Sequence, residues 1–120
     1  VAIIAVGSMV EETYKAIDML EKENVHPAFV NPVFIKPMDT ELIKRVAENH
    51  KHIIVVEEGI KKGGFGESVE TFILESGIDA DVQVMAIDDR FVEQGNVALL
   101  REEIGISYKN IYEKVMELTR

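Results

Sequence analysis

Apolar runs rich in β-branched residues alternate along this chain with segments of helical periodicity, and the loops that join them are short. Because neighbouring parallel strands must be joined by a crossover, usually a helix, this alternation predicts a parallel sheet covered by helices on both faces. The chain is therefore predicted to form a single α/β domain. The predicted strands cover residues 1–6, 27–30, 53–56 and 82–86.

Polar residues at the predicted helix starts support this division of the chain. Ser8 and Glu11 have the spacing of a capping box. Asp39, Asn96 and Ser107 are predicted N-caps of later helices, because a short oxygen-bearing side chain can accept a hydrogen bond from the first turn. These positions predict a helix in each of the first two intervals between strands and two helices after the last strand, and a glycine cluster opens the helix predicted in the third interval.

The first helix is predicted to bury the apolar residues that recur at helical spacing, which are Val10, Tyr14, Ile17 and Leu20. The glutamates of this helix, Glu11 and Glu12 among them, are predicted to lie on a solvated face.

Charge and composition exclude several classes of function. The chain has 13 basic and 22 acidic residues, a net charge of −9. A chain this acidic repels phosphate backbones and anionic lipid, so neither nucleic acid nor a membrane is expected as a partner. The absence of cysteine excludes disulfides, thiolate metal sites and cysteine nucleophiles. We expect a cytoplasmic protein, since no apolar run approaches the ~20 residues that span a bilayer.

The third predicted strand runs into a glycine-rich turn that opens a helix, with the sequence Gly63-Gly64-Phe65-Gly66. One interpretation is that backbone N–H groups at this helix start bind an anion, assisted by Lys61 and Lys62. The other is a tight turn that needs positive φ and close packing. The spacing matches neither G-x-G-x-x-G nor a P-loop, so the structural interpretation is preferred.

Two adjacent carboxylates, Glu57 and Glu58, come between that strand and the turn. Side chains of neighbouring strand residues point to opposite faces, so these two are not expected to share one acid–base site. One of them is predicted to cap or brace the glycine turn, or to contact a neighbouring domain.

A second candidate contact segment, Asp89 and Arg90, follows the fourth predicted strand. The planar guanidinium suits a carboxylate, and an ion pair within the domain or across a domain interface is the preferred role. His50 and His52 are predicted to be solvated loop residues and have no third ligand nearby, so no metal site is predicted.

Four motifs, in order along the whole chain, resemble the carboxy-terminal domain of transketolase-like thiamine-diphosphate enzymes, most closely the 1-deoxy-D-xylulose-5-phosphate synthase branch. They are Val6-Gly7-Ser8-Met9, Ile35-Lys36-Pro37-Met38-Asp39, Glu57-Glu58-Gly59 with the glycine turn, and Asp89-Arg90-Phe91 with Gln94-Gly95.

The resemblance implies a three-layer α/β/α sandwich with a mostly parallel, five-stranded mixed sheet. Its fifth strand would come from residues 87–95 or from the residues around Phe34. The resemblance also implies that residues 1–120 are one domain of a longer chain, that thiamine diphosphate and Mg²⁺ bind to the preceding catalytic domains, and that the parent forms a homodimer. On this basis we expect no cofactor, no metal and no catalytic residue in the domain itself, and no turnover by the chain alone.

Other identities stay open from the sequence. Ala86-Ile87-Asp88-Asp89 before Arg90, and Gln94 before Gly95, depart from the pattern usual in the synthase. A transketolase, a subunit of a split transketolase or a 2-oxo-acid dehydrogenase E1 β-subunit therefore remains an alternative parent. A stand-alone flavodoxin-like module that binds phosphate or nucleotide at the glycine turn is the alternative from another class.

Overall fold

The structure, a computed structural model, describes residues 1–32, 38–60, 63–87 and 107–119. Its strands are β1 (Ala2–Ala5), β2 (Ala28–Val30), β3 (His52–Ile60) and β4 (Asp81–Ile87). Its helices are α1 (Met9–Lys22), α2 (Thr40–Asn49), α3 (Phe65–Glu75) and α4 (Tyr108–Thr119). Each predicted strand is present, and β3 continues past the predicted end through both glutamates. The helix predicted to begin at Asn96 lies outside the described residues.

Within the described residues the strands form one sheet in the order β2-β1-β3-β4, and every pairing is parallel. The predicted α/β class with a parallel sheet is confirmed. Within the described ranges the sheet has four strands, whereas the resemblance implied five. Both regions from which a fifth strand would come, residues 87–95 and the neighbourhood of Phe34, lie almost wholly outside the described part of the chain.

The two faces of the sheet carry separate apolar cores. Ile3 and Ile54 face α1 and α4, whereas Ile4 and Ile53 face α2 and α3, as the alternation of side chains along a strand requires. All four side chains are fully buried, which stabilises the fold by about 2 kcal/mol each. Burial on both faces explains why the strands are continuous apolar runs, and it confirms the three-layer α/β/α arrangement.

The predicted N-cap hydrogen bond is present at Asp39, whereas the Ser107 hydroxyl directly before α4 donates a hydrogen bond instead of accepting one. Leu42 N–H donates to Asp39 Oδ1 at 3.1 Å at the start of α2. Ahead of α4, the backbone N–H and the hydroxyl of Ser107 both donate to Asn110 Oδ1, at 3.1 Å and 2.6 Å. The asparagine thus supplies the return hydrogen bond that glutamate supplies in a capping box.

The capping box predicted for α1 is wrong. The backbone of Ser8 is itself helical, with φ −64° and ψ −16°, and its side chain makes no hydrogen bond to the first turn. The Ser8 hydroxyl instead donates to the Glu58 carboxylate, and Glu11 is exposed. A long-range partner therefore takes the place of the local one.

The predicted buried face of α1 is confirmed at Leu20, which is fully buried, and at Val10, which packs against the core, but it is wrong at Tyr14 and Glu12. Tyr14 is 55% exposed, and Glu12, predicted to be solvated, is 8% exposed. The core-facing residues are Met9, Thr13, Ala16 and Leu20. A polar residue can occupy this face because the Thr13 hydroxyl donates to Met9 O at 2.8 Å within the helix.

None of the helices in the described ranges has the length and hydropathy needed to cross a membrane.

Asp81 begins β4 and pairs in register with His52, the first residue of β3. The side-chain hydrogen bond from Gln83 lowers the pKa of Asp81 most. Burial opposes this and raises the pKa, whereas the hydrogen bond and charge of His52 and the charge of Lys114 lower it further. The His52 Nδ1 to Asp81 Oδ2 distance is 3.3 Å. The pair lies at the amino-terminal edge of the sheet, away from the glycine turn.

Acid should remove the contribution of Asp81 to stability. A lowered folded-state pKa stabilises the fold above the ordinary value of 3.8, and this stabilisation disappears as the pH falls below it. Because the side chain is 44% exposed, the effect is screened, and we expect Asp81→Asn to cost about 0.5 kcal/mol at pH 7. Urea unfolding at pH 7 and pH 3 checks this, and an equal difference between wild type and variant at both pH values would contradict it.

Candidate functional site

The candidate site lies at the carboxyl ends of β1 and β3, the two central strands. The chain leaves β1 towards one edge of the sheet and leaves β3 towards the other, so the strand order reverses between them. In open α/β sheets this reversal creates the crevice in which ligands or partners usually bind. Gly7 and Ser8 follow β1, and Glu57 and Glu58 lie in the last part of β3.

The end of β3 is irregular. Its pairing with β4 moves from Val56↔Met85 to Ile60↔Ile87, so residues 57–59 stand opposite the single residue 86. A bulge of this kind bends the strand and redirects its side chains. Both glutamates lie within it.

Glu57 is a buried carboxylate that caps α3. Its side chain accepts a hydrogen bond from Phe65 N–H at 3.2 Å and another from Gly66 N–H, and the residue is only 5% exposed. Negative charge at a helix N-terminus is favourable because the free N–H groups and the helix dipole point towards it. The interpretation that one glutamate braces the glycine turn agrees with this geometry.

Two positions of the turn require glycine for different structural reasons. Gly63 has φ +75°, a conformation that L-residues with a side chain rarely adopt, and its N–H donates to Glu67 Oε1 at 2.7 Å. Gly66 lacks room for a side chain, since a Cβ there would lie 2.5 Å from Val84 Cγ1 and 2.9 Å from Glu57 Oε2. Gly64 is the N-cap of α3, in an extended conformation, and makes no side-chain cap.

This geometry argues against an anion site at the turn. A phosphate at the start of α3 would need the N–H groups of Phe65 and Gly66, which already donate to Glu57. It would also meet the negative charge of that carboxylate, which is repulsive at this distance. The positive φ and the close packing are the two features that the structural interpretation of the glycines requires.

Glu58 points to the opposite side of the sheet from Glu57. It is half-buried and accepts a hydrogen bond from the Ser8 hydroxyl, at the start of α1. The two glutamates therefore serve helices on opposite faces and do not form an acid–base pair, as their adjacency in a strand predicts. The spacing of Ser8 along the chain predicts a local cap, and only the crossover order of β1 and β3 would place it beside Glu58.

A second buried carboxylate joins α1 to α4. Glu12 Oε2 accepts a hydrogen bond from Tyr108 N–H at 2.8 Å, and Glu12 Oε1 lies 3.5 Å from Lys15 Nζ. Sequence reasoning missed this cap because the two residues it joins are far apart in the chain. The one sequence signal for this cap is that Glu12 lies on the face of α1 that packs against the core.

Several candidate residues cannot be placed against this site. Asp89 and Arg90, and the lysines Lys61 and Lys62, lie outside the described residues. The structure brings Glu57 together with the residues of the glycine turn, which are Gly63, Gly64, Phe65 and Gly66, whereas Glu58 lies on the opposite face with Ser8.

The prediction that the two histidines are solvated loop residues is only partly right, because His50 lies in the loop before β3 but His52 is the first residue of that strand. Both are partly buried: His50 Nδ1 lies 3.0 Å from Val46 O, and His52 pairs with Asp81. Across residues 1–32, 38–60, 63–87 and 107–119, no group of three or more His, Cys, Asp or Glu side chains could hold a metal ion.

Comparison with known proteins assigns the fold to a family. Residues 1–111 match the family described as transketolase, C-terminal domain. The chain belongs to the transketolase C-terminal domain family. A solved structure described as a split gene transketolase, inactive beta4 tetramer, superposes with a TM-score of 0.86 at 25% identity, covering 97% of this chain and 38% of that one.

Two curated relatives of this domain are 1-deoxy-D-xylulose-5-phosphate synthases. The protein of Dehalococcoides mccartyi is 40% identical over 120 residues, covering 98% of this chain and 18% of the relative. The protein of Alkaliphilus oremlandii is 39% identical over 115 residues, covering 96% of this chain and 18% of the relative. This transketolase C-terminal domain thus spans less than a fifth of the length of these relatives.

The described residues do not fit the cofactor that the family implies. They contain no cluster that could hold Mg²⁺. The one helix start with a glycine-rich approach is closed by Glu57 rather than open to a diphosphate.

Proposed function

We propose that this transketolase C-terminal domain is the carboxy-terminal part of a 1-deoxy-D-xylulose-5-phosphate synthase. In that parent, thiamine diphosphate and Mg²⁺ would bind to the preceding domains and would supply the chemistry by which pyruvate loses carbon dioxide and its two-carbon unit is transferred to glyceraldehyde 3-phosphate. The observation that carries the proposal is the 40% identity to a synthase across 98% of this chain. The parent would be a cytoplasmic homodimer.

Within that parent, the domain would act as a structural support for the catalytic domains. The inward-facing groups at its carboxyl edge are already used within the domain, since Glu57 caps α3 and Ser8 is bonded to Glu58. Side chains that are already hydrogen-bonded within the domain suit contact with a neighbouring domain rather than proton transfer. Glu58, Gly63, Gly64, Asp89 and Arg90 are the residues we propose for that contact.

A domain exchange tests the proposal. We expect the Dehalococcoides mccartyi synthase to stay active, within about ten-fold, when this chain replaces the segment it matches, because ten-fold is only about 1.4 kcal/mol of barrier. The same synthase without the segment should lose activity and dimerisation. A dimeric chimera that forms no product would contradict the assignment to the synthase.

The isolated chain provides the matching control. Mixed with thiamine diphosphate, Mg²⁺, pyruvate and glyceraldehyde 3-phosphate, it should form no deoxyxylulose phosphate at any protein concentration. Turnover by the isolated chain would contradict the supporting role, whatever the chimera does.

A second candidate parent is a transketolase whose domains are encoded separately. The superposition on a split gene transketolase, with a TM-score of 0.86, favours it. The coding sequence upstream of Val1 separates the two parents, because a fused synthase continues in the same frame into a pyrimidine-binding domain.

A further inference from the structure

A shallow groove of about 430 Å³ begins beside the β1–α1 turn and follows the first turns of α1. We call it the α1 groove, and it is lined by Gly7, Ser8, Val10, Glu11 and Tyr14. Its lining is unusual for a solvated helix face, because an aliphatic and an aromatic side chain lie beside a carboxylate.

The ring of Tyr14 is held in place although it is exposed. It stacks on Phe29 of β2, with ring centroids 5.0 Å apart and ring planes at 27°. Tyr14 is nevertheless 55% exposed and lines the α1 groove. Tyrosine is enriched at protein interfaces, because its ring offers an apolar surface while its hydroxyl can stay hydrated.

Glu11 supplies negative charge to the same groove. It lies three residues before Tyr14, so the two side chains are neighbours on the helix surface. Among the described residues Glu11 has no hydrogen bond or ion pair. The chain's own nearby cation, Lys15, is directed elsewhere, to Glu12 at 3.5 Å and to the Tyr108 ring at 5.8 Å.

We propose that the α1 groove binds an arginine side chain of a partner protein segment, flanked by apolar residues. A guanidinium can stack on the Tyr14 ring and at the same time pair with the Glu11 carboxylate, whereas the ammonium of lysine cannot stack in this way. The apolar neighbours of the arginine would contact Val10. A second copy of this chain is a poor occupant, because each chain carries a net charge of −9 and two such chains repel one another.

This proposal does not depend on the identity of the parent enzyme. It concerns a surface that the isolated domain presents, and its test uses no substrate or cofactor. A synthase assignment that fails would leave it unaffected, and the reverse also holds.

Amide chemical shifts of the isolated chain provide the test. The probe is the capped peptide acetyl-Ala-Leu-Arg-Leu-Ala-amide, compared with the same peptide carrying citrulline, which has the shape of arginine without its charge. We expect saturable shifts at Val10, Glu11 and Tyr14 with the arginine peptide and clearly weaker binding with citrulline. Added salt should weaken the arginine peptide's binding, because exposed charges are screened.

Two variants separate the ring from the carboxylate. Tyr14→Leu keeps an apolar side chain but removes the aromatic face, and Glu11→Gln keeps the shape but removes the charge. Each should raise Kd about two- to five-fold, the range of an exposed cation–π or ion-pair contact. Glu41→Gln, at an exposed glutamate in the first turn of α2, is the matched control and should leave Kd unchanged.

Three results would overturn the proposal. They are equal affinity for the arginine and citrulline peptides, a Kd unaffected by Tyr14→Leu in a variant whose spectrum shows the native fold, and the absence of saturable shifts up to about 10 mM peptide, a concentration that detects even millimolar affinity.

Discussion

Glu57→Ala should destabilise the domain by about 3 kcal/mol, because the cost of a lost hydrogen bond to a charged group adds to that of two buried donors left without an acceptor. The donors are the N–H groups of Phe65 and Gly66, in the first turn of α3. Water cannot easily replace the carboxylate, since the site is buried and closely packed. Urea unfolding followed by circular dichroism measures the loss, and the m-value should not change if the transition stays two-state.

Two further variants show whether the loss of the helix cap is what destabilises Glu57→Ala. Glu57→Gln keeps one oxygen acceptor, but its NH₂ group lies against the second backbone N–H and cannot accept from it. The variant should therefore lose about half as much stability, or ~1.5 kcal/mol. Glu70→Ala removes an exposed glutamate from the same helix and should change stability by less than about 0.5 kcal/mol. A Glu57→Ala loss no larger than that of Glu70→Ala would show that the hydrogen bonds contribute little.

Gly66→Ala should destabilise the domain by about 2 kcal/mol, although alanine normally stabilises a helix relative to glycine. The new Cβ would lie 2.5 Å from Val84 Cγ1 and 2.9 Å from Glu57 Oε2. It therefore pushes α3 away from β4 and disturbs the carboxylate that caps the helix. Thermal and urea unfolding of the variant check the size of the loss.

A compensating substitution identifies the steric cause of the Gly66→Ala loss. Val84→Ala removes both methyl groups near the new Cβ, so the double variant should be more stable than the sum of the two single losses predicts. We expect a coupling of about 1 kcal/mol, within the range found for residues in contact. Strict additivity would mean that the contact with Val84 is not the reason for the loss.

The sequence predicts the architecture well because the relevant signals are local. Both faces of the sheet are covered, so the strands are unbroken apolar runs. The helices follow from the helical spacing of apolar residues and from the polar residues Asp39 and Ser107 at their starts. The parallel pairing follows from the lengths of the crossovers. The family motifs add the three-layer arrangement, which the structure confirms.

The errors concern interactions between residues distant in the chain. The spacing of Ser8 and Glu11 fits a local cap, but the sheet order brings Glu58 to the Ser8 hydroxyl. The face of α1 is mispredicted because Tyr14 counts as apolar and Glu12 as polar. Packing reverses both assignments. Tyr14 stacks on Phe29 at the sheet edge, and Glu12 caps α4, the helix nearest the carboxyl end of the chain.

The candidate site is only partly predictable for the same reason. The glycine turn and the two glutamates stand out in the sequence, and their opposite directions follow from strand geometry. Which glutamate caps α3 depends on the bulge at residues 57–59, which has no local sequence signal that separates it from a regular strand end.

An amide titration of the isolated chain with inorganic phosphate and with ATP decides whether the glycine turn supports the fold or binds a ligand. If the Glu57 carboxylate accepts the hydrogen bonds of the first N–H groups of α3, those N–H groups are not available to an external anion. We therefore expect no saturable shift at the Phe65 and Gly66 amides with either anion. Saturable shifts centred on those two amides would contradict this role of Glu57, because they would show that the N–H groups are open to an external anion.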